Sequence, residues 1–249
     1  MVNLPERSQQ DIANFVAASP TMPDQLDLLF NFVTNQSNLP YLILDKTFDA
    51  VVAKEELDTV SRNELFVRYH SPFIGMDTEG WYATAIYGQG ATNPWNIQPT
   101  IDQAHLPATS NRWTESADLM PYFKTVLDDI LGLENINRCV CFKLMPGGYV
   151  DTHTDIPPAD GYKLLQVDFN VHWPDQAKWY LEGAPGGVYP TVNGTVAMHS
   201  SIAKHCIVNN SDEPRYLVWA FANFNKKFKQ LVVDSYLRQY FYANTNEIS

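Results

Sequence analysis

The sequence predicts a mainly β protein with flanking helices, built on a sandwich or jelly-roll core, and two observations point there. From Asn137 onward, short strand-like runs are separated by turn chemistry at Pro146-Gly147-Gly148, Pro157-Pro158, Pro174-Asp175, Pro185-Gly186-Gly187, Asn193-Gly194 and Asn209-Asn210. That spacing is expected of successive short strands in a closed β architecture. Toward both ends of the chain, apolar residues recur at helical spacing instead.

Taken in order, residues 8–18 and 24–35 predict two packing helices, through Ile12, Phe15 and Val16 and then Leu26, Leu29, Phe30 and Val33. Tyr41 to Leu44 reads as a short strand. A helix is expected to start at Lys54 in the stretch that runs to Tyr69, with Pro72 ending regular structure. Trp81 to Tyr87, rich in aromatic and β-branched residues, reads as the strand leading into the core. Gly88 to Ile101 is a loop that serves either as an active-site lid or as a long surface connection. Ser116 is the expected N-cap of a helix running to about Leu131, with Pro121 in its first turns and Gly132 just past its end. Lys226 to Phe241 reads as a closing helix. The expectation is one domain over 1–249: a mostly helical flank over 1–80, the jelly-roll core within about 81–224, and the closing helix over 226–242.

Hydrophobic residues make up 45% of the 249, and aromatics 13%, enough for a sizeable core. Seventeen Lys and Arg against 28 Asp and Glu leave a net charge of −11, which repels a phosphate backbone and an anionic membrane alike. Nucleic acid and membrane are therefore not expected as partners; a small-molecule or peptide substrate is. No basic start with an apolar core follows the N-terminus, and no run approaches the roughly 18 apolar residues of a membrane span. A cytoplasmic location is the expectation. Cys139, Cys141 and Cys206, an odd number without a secretory signal, are read as reduced thiols, the first two as small buried residues.

The chemistry is concentrated in Leu144 to Asp155. Side chains two apart on an extended strand share one side, so His153 and Asp155 converge on one point. His205, 50 residues beyond Asp155, opens another β-rich run and supplies a third ligand. Two imidazoles and a carboxylate on one face of an octahedral ion leave three positions open, the arrangement associated with non-heme Fe(II) oxygenases. Arg215 follows ten residues later, where its guanidinium could grip the far carboxylate of a dicarboxylate chelated to the metal. His199, a rival third ligand, fits the spacing less well and reads as a structural histidine. The same three ligands would also serve Zn2+ in a cupin-like hydrolase or isomerase, or a metal-binding β-barrel without catalysis.

The stretches Lys143-Leu-Met-Pro-Gly-Gly-Tyr-Val-Asp-Thr-His153 and Lys204-His205 to Arg215 resemble the Fe(II)/2-oxoglutarate dioxygenases, and within them the aspartyl/asparaginyl β-hydroxylase family, which includes free-proline hydroxylases. The likeness covers roughly residues 138 to 224. It implies a double-stranded β-helix, a cupin-like jelly roll, with Fe(II) held by His153, Asp155 and His205 and with 2-oxoglutarate and O2 as cosubstrates. The implied reaction hydroxylates an unactivated C–H bond of an amino acid, a residue in a peptide or a related metabolite, with succinate as co-product. Some members acting on protein aspartate and asparagine lack the carboxylate ligand that this chain has at Asp155.

On Lys163 to Trp173, Leu165, Val167, Phe169, Val171 and Trp173 fall on one face and Gln166, Asp168, Asn170 and His172 on the other. The polar face either meets water or, as the resemblance implies, puts Gln166 and Asp168 in contact with the cosubstrate. Arg68, Arg112 and the adjoining Trp113 are candidates to clamp a substrate carboxylate, or else ordinary surface residues.

Overall fold

The computed structural model describes residues 24–69, 77–88, 112–155 and 164–242, without the side chains of Leu165 and Tyr242. The helix expected over 8–18, the loop after Gly88, the Pro157-Pro158 turn, His70 and His105 lie outside them.

The described elements in chain order are α1 (Gln25–Asn31), β1 (Tyr41–Thr47), α2 (Ala50–Arg62), β2 (Val67–Arg68), β3 (Thr78–Gly88), β4 (Arg112–Trp113), α3 (Glu115–Asp118) and α4 (Pro121–Leu131). They continue as β5 (Ile136–His153), β6 (Leu164–His172), β7 (Ala177–Leu181), β8 (Thr195–Ser200), β9 (His205–Asn209), β10 (Arg215–Ala222) and α5 (Lys226–Leu237). α1 and α5 each run on into a π-helical turn, Phe32–Gln36 and Arg238–Tyr242.

All strand pairs are antiparallel, in the order β1-β8-β6-β10-β5-β3-β2, with β4 on β3 and a smaller layer in which β9 joins β5 to β7. This is a double-stranded β-helix with flanking helices. β5 holds it together by belonging to both layers. Its first half pairs with β10, from Ile136 opposite Ala222 to Leu144 opposite Arg215, and its second half pairs with β9, ending with His153 opposite His205.

Pro146-Gly147-Gly148 was expected to separate two strands, and instead the strand bends there without ending. Gly147 takes a φ of +72°, open to glycine at little cost. Gly148 passes so close to β3 that a Cβ would stand 2.8 Å from the Glu79 carbonyl oxygen. The glycines make the corner at which one strand turns from one layer into the other.

Each face of the larger layer is buried for a different purpose. Cys139, Cys141, Phe169, Met198 and Val218 pack with Leu57, Phe123, Leu127, Phe228 and Val232 of α2, α4 and α5. Each such apolar side chain contributes roughly 1.5–3 kcal/mol on burial. Burial also pushes the Cys139 and Cys141 thiols far above their ordinary range, so they stay protonated. The opposite face, with Leu144, Ala197 and Leu217, meets Trp173, Trp179, Tyr189 and Ile207 and forms the inside of the barrel.

Several boundaries differ from expectation for local reasons. α2 starts at Ala50, because the Asp49 carboxylate caps the amides of Val51 and Val52. Val67 and Arg68 leave the helical path to pair with β3. Ser116 is not an N-cap: it is buried inside the short α3 and bonds Thr84 at 2.7 Å. α4 begins afresh with Pro121 in its first turn, and its free amides at Tyr122 and Phe123 donate to the Glu56 carboxylate of α2 at 2.7 and 2.9 Å.

The corner gives a direct test. Gly148→Ala should cost about 1–3 kcal/mol in urea unfolding, because backbone atoms of Glu79 and Met145 meet the added methyl. A neutral substitution would show that β5 does not approach β3 so closely.

Candidate metal centre

The paired ends of β5 and β9 bring two imidazoles together, with the ring centroids of His153 and His205 4.2 Å apart. Asp155 lies two residues beyond His153. Its Oδ1 is 3.7 Å from His153 Nε2 and 4.0 Å from His205 Nε2. The three ligand atoms lie within 4.8 Å of one another, and this is the only such group of His, Cys, Asp and Glu among the described residues.

The tautomers suit a metal. His153 Nδ1 is 2.8 Å from the Asp151 carbonyl oxygen and His205 Nδ1 is 3.0 Å from that of Ala203. A carbonyl only accepts, so each Nδ1 carries the proton and each Nε2 turns a lone pair toward Asp155. Burial, reinforced by the rings of His199 and His153, lowers the pKa of His205 to about 4 against the pull of Asp155. The ring is neutral at neutral pH, as a ligand must be.

Asp155 is held from behind. Gln166 Nε2 donates to its Oδ2 at 2.8 Å, leaving Oδ1 for the histidines' side. Burial works to raise its pKa, but His199, His205 and Gln166 outweigh it and bring the carboxyl to about 2. His199 Nε2 stands 3.7 Å from Oδ2, beyond hydrogen-bond reach, so it acts as a nearby charge.

His199 itself is buried, with Nδ1 2.5 Å from Asp168 Oδ2. Burial opposes charge on this ring, yet the carboxylates of Asp168 and Asp155 raise its pKa to about 10. His199 thus stands behind the triad, bonded to Asp168 on one side and facing Asp155 Oδ2 on the other. Asp168 also accepts from the Tyr189 hydroxyl at 3.4 Å. The polar face of β6 therefore does not meet water. Gln166, Asp168 and Asn170 are all buried and point into the barrel.

Arg215 opens β10 at the corner and is 1% exposed. Its guanidinium lies 4.1 Å over the Trp173 ring and 6.0 Å from that of Trp179, and neither Nε nor Nη2 has a hydrogen-bond partner. Burial lowers its pKa to about 9, so the group remains a cation at neutral pH. Trp179 spans the space between, its ring centroid 5.8 Å from that of His205. The barrel thus holds at its floor a cation two of whose nitrogens lack an acceptor among the described residues, a tryptophan along its wall and three candidate metal ligands above.

The remaining candidates are placed elsewhere. Arg68 is exposed beside Glu79 at 3.4 Å, on the face of β2 opposite Val67. Trp113 packs on Tyr87 and under Lys124, toward the helices. Arg112 is exposed on β4 opposite Gly88, at the outer edge of the sheet. His172 pairs with Glu213 at 3.1 Å. Trp173, Trp179 and Tyr189 were not foreseen at the site; their alternation in the strand and turn after β6 looks like ordinary core.

The column behind Asp155 has a testable signature. His199 has a folded pKa above its ordinary 6.5, so its contribution to stability is complete below about 6.5 and is lost as pH rises through about 10. In metal-free protein, the urea-unfolding gap between wild type and His199→Gln should be largest near neutral pH and narrow as pH rises through that range. A gap that widens with pH would show that Asp168 and His199 do not form this pair.

No family model and no curated protein sequence matches this chain. Solved structures do. A prolyl hydroxylase from Trichoplax adhaerens, in complex with a hypoxia inducible factor oxygen degradation domain peptide fragment, aligns with a TM-score of 0.50 at 12% identity, covering 92% of this chain and 97% of that one. A Pseudomonas putida prolyl-4-hydroxylase aligns at 0.43 and 13%, covering 80% and 100%. A 2OG-Fe(II) oxygenase family protein from Burkholderia pseudomallei aligns at 0.42 and 13%, covering 84% and 97%. At such identities the likeness is one of fold, and the Trichoplax structure carries it: this chain shares the double-stranded β-helix fold of that prolyl hydroxylase.

Proposed function

We propose that this chain is an Fe(II)- and 2-oxoglutarate-dependent oxygenase that hydroxylates an unactivated C–H bond of an amino acid, an amino-acid residue in a peptide or a related small metabolite. The observation that carries the reading is the buried guanidinium of Arg215, whose Nε and Nη2 have no hydrogen-bond partner among the described residues, in the same barrel as a His-Asp-His group. A buried cation without a partner costs several kcal/mol, and a dicarboxylate that also reaches the metal removes that cost. A zinc hydrolase or isomerase would use the triad and leave Arg215 unexplained. A structural zinc site closes four ligands, and the group here has three.

His153, Asp155 and His205 would hold the iron, and Arg215 the distal carboxylate of 2-oxoglutarate. When bound, iron and 2-oxoglutarate supply the oxidising chemistry, with O2 as oxidant and succinate and CO2 as products. The chain's residues set the conditions. The carbonyls of Asp151 and Ala203 fix both imidazoles with Nε2 inward, and Gln166 turns one oxygen of Asp155 toward them. Trp173 and Trp179 give the guanidinium an apolar seat and keep water from it, which strengthens its grip on a carboxylate. The amino-acid substrate class is supported by the motif resemblance to aspartyl/asparaginyl β-hydroxylases. A peptide-bound form is compatible with the peptide held by the Trichoplax neighbour.

Anaerobically purified protein given Fe(II) and 2-oxoglutarate should release succinate on admission of air, and more of it with the right substrate. His153→Ala and His205→Ala should each lose Fe(II) and turnover while unfolding as cooperatively as wild type. Wild-type turnover in either variant would remove the triad from the chemistry.

A further inference from the structure

The inner face of the larger layer does not end at the metal group. Paired residues of neighbouring strands share a face, so the side carrying Arg215 and Leu217 continues along β10 to Trp219 and Phe221, and along β5 from Leu144 to Phe142, Val140 and Arg138. Cys139 and Cys141, between them, face the helices. The alternation therefore aims Arg138 into the barrel side. Its guanidinium lies 5.3 Å over the Trp219 ring, in a row of aromatic rings that runs from Phe221 through Trp219 and Phe142 to Trp81 and Tyr69.

Arg138 sits level with the metal group. It pairs with Phe221, and Ala220 pairs with Val167, so the same ladder carried one step further sets Gln166 across from Phe221. Gln166 is the residue that holds Asp155. Two inter-strand spacings, roughly 10 Å, separate the backbones of Gln166 and Arg138. Arg215 lies on the same face at the corner, six residues along β10 from Phe221. The two arginines thus stand on one face of the sheet, Arg215 at the corner and Arg138 six residues away at the level of Gln166 and the candidate metal group.

Among the described residues, no carboxylate lies within ion-pair distance of Arg138. Burial lowers its pKa to about 10, and it remains charged at neutral pH. A guanidinium lodged among aromatic rings, with no counter-ion among the described residues and near the candidate metal group, is suited to receive an anion with an apolar body.

We propose that Arg138 binds the carboxylate of the primary substrate, a free amino acid whose apolar part lies against Trp219 and Phe142. The assignment rests on the oxygenase reading and adds the substrate's anchor: Arg215 takes the cosubstrate at the corner and Arg138 the substrate farther along the same face. It is the α-carboxylate that Arg138 takes, so a residue within a peptide chain, whose α-carboxyl is spent in an amide bond, is the losing alternative. Atoms other than the carboxylate are oriented by the aromatic row, which offers flat apolar surface and little hydrogen bonding.

The test uses full-length protein carrying Fe(II) and 2-oxoglutarate without oxygen, titrated calorimetrically with each of the free amino acids and with their carboxamides. At least one free amino acid should bind, and its carboxamide should bind about ten- to a hundredfold more weakly, the loss expected when a charged acceptor becomes neutral. Arg138→Gln should erase that difference between acid and amide, and Arg138→Lys should restore part of it. In both variants the visible absorption band of the Fe(II)-2-oxoglutarate complex should form as in wild type. Equal binding of acid and amide by wild type, no binding by any free amino acid, or an unchanged acid preference in Arg138→Gln would each overturn the proposal. Absence of the absorption band in wild type would instead overturn the oxygenase reading, and the acid-to-amide ratio would still decide whether Arg138 binds a carboxylate.

Discussion

One strand shared by two layers is the constraint on which the site depends. β5 pairs with β10 on one side of the Pro146-Gly147-Gly148 corner and with β9 on the other. Because the strand folds back over itself, His153 hangs from the smaller layer above the polar residues of β6, and Asp155 comes within hydrogen-bond distance of Gln166. A straight continuation would carry His153 past the end of the larger layer. The glycines supply the bend, the close approach of Gly148 to Glu79 keeps β3 paired across it, and the register of His153 with His205 follows.

The interior built this way is charged, which is unusual for a space lined by tryptophans. Asp168 and His199 form a pair that settles two of the charges within the protein. Asp155 takes support from Gln166 and from the proton-bearing His199 nearby, but its Oδ1 has no donor among the described residues, and Arg215 has no acceptor for Nε or Nη2. The two unsatisfied groups are of opposite sign and do not meet each other. A divalent ion at one and a carboxylate at the other would settle both, so the electrostatics of the fold and the proposed chemistry call for the same two guests.

Much of this was legible in the sequence, and what was not has physical reasons. His153, Asp155, His205 and Arg215 could be picked out because strand alternation and spacing along the chain translate into side-chain direction. The succession of strands from Asn137 onward was likewise readable from turn residues, except at Pro146-Gly147-Gly148, where β5 bends and continues. Gln166 and Asp168 were ambiguous because alternation says that two faces differ, not that one of them is wet; only the layer folding over β6 makes its polar face an interior. His199 was set aside as a ligand on spacing, and its buried bond to Asp168 is a contact between residues 31 apart that spacing does not reveal. The helix expected from Ser116 to Leu131 ends at Leu131 as expected but starts afresh at Pro121, its first amides taken by Glu56 from another helix, a partner that local sequence does not reveal. Arg138 drew no notice in a strand whose neighbours are cysteines, and its importance rests on cross-strand register.

The most direct measurement is the affinity of the Fe(II)-loaded protein for 2-oxoglutarate, titrated without oxygen through the absorption band of the complex, in wild type, Arg215→Lys and Arg215→Ala. Removing one partner of a buried charge pair costs about 3–5 kcal/mol, which is at least a hundredfold in affinity at about 1.4 kcal/mol per decade. If Arg215 holds the distal carboxylate, Arg215→Ala should weaken binding by that factor or more, Arg215→Lys should fall between, and Fe(II) content should be unchanged in both. Wild-type affinity in Arg215→Ala would contradict the shared cosubstrate site on which the proposed function stands.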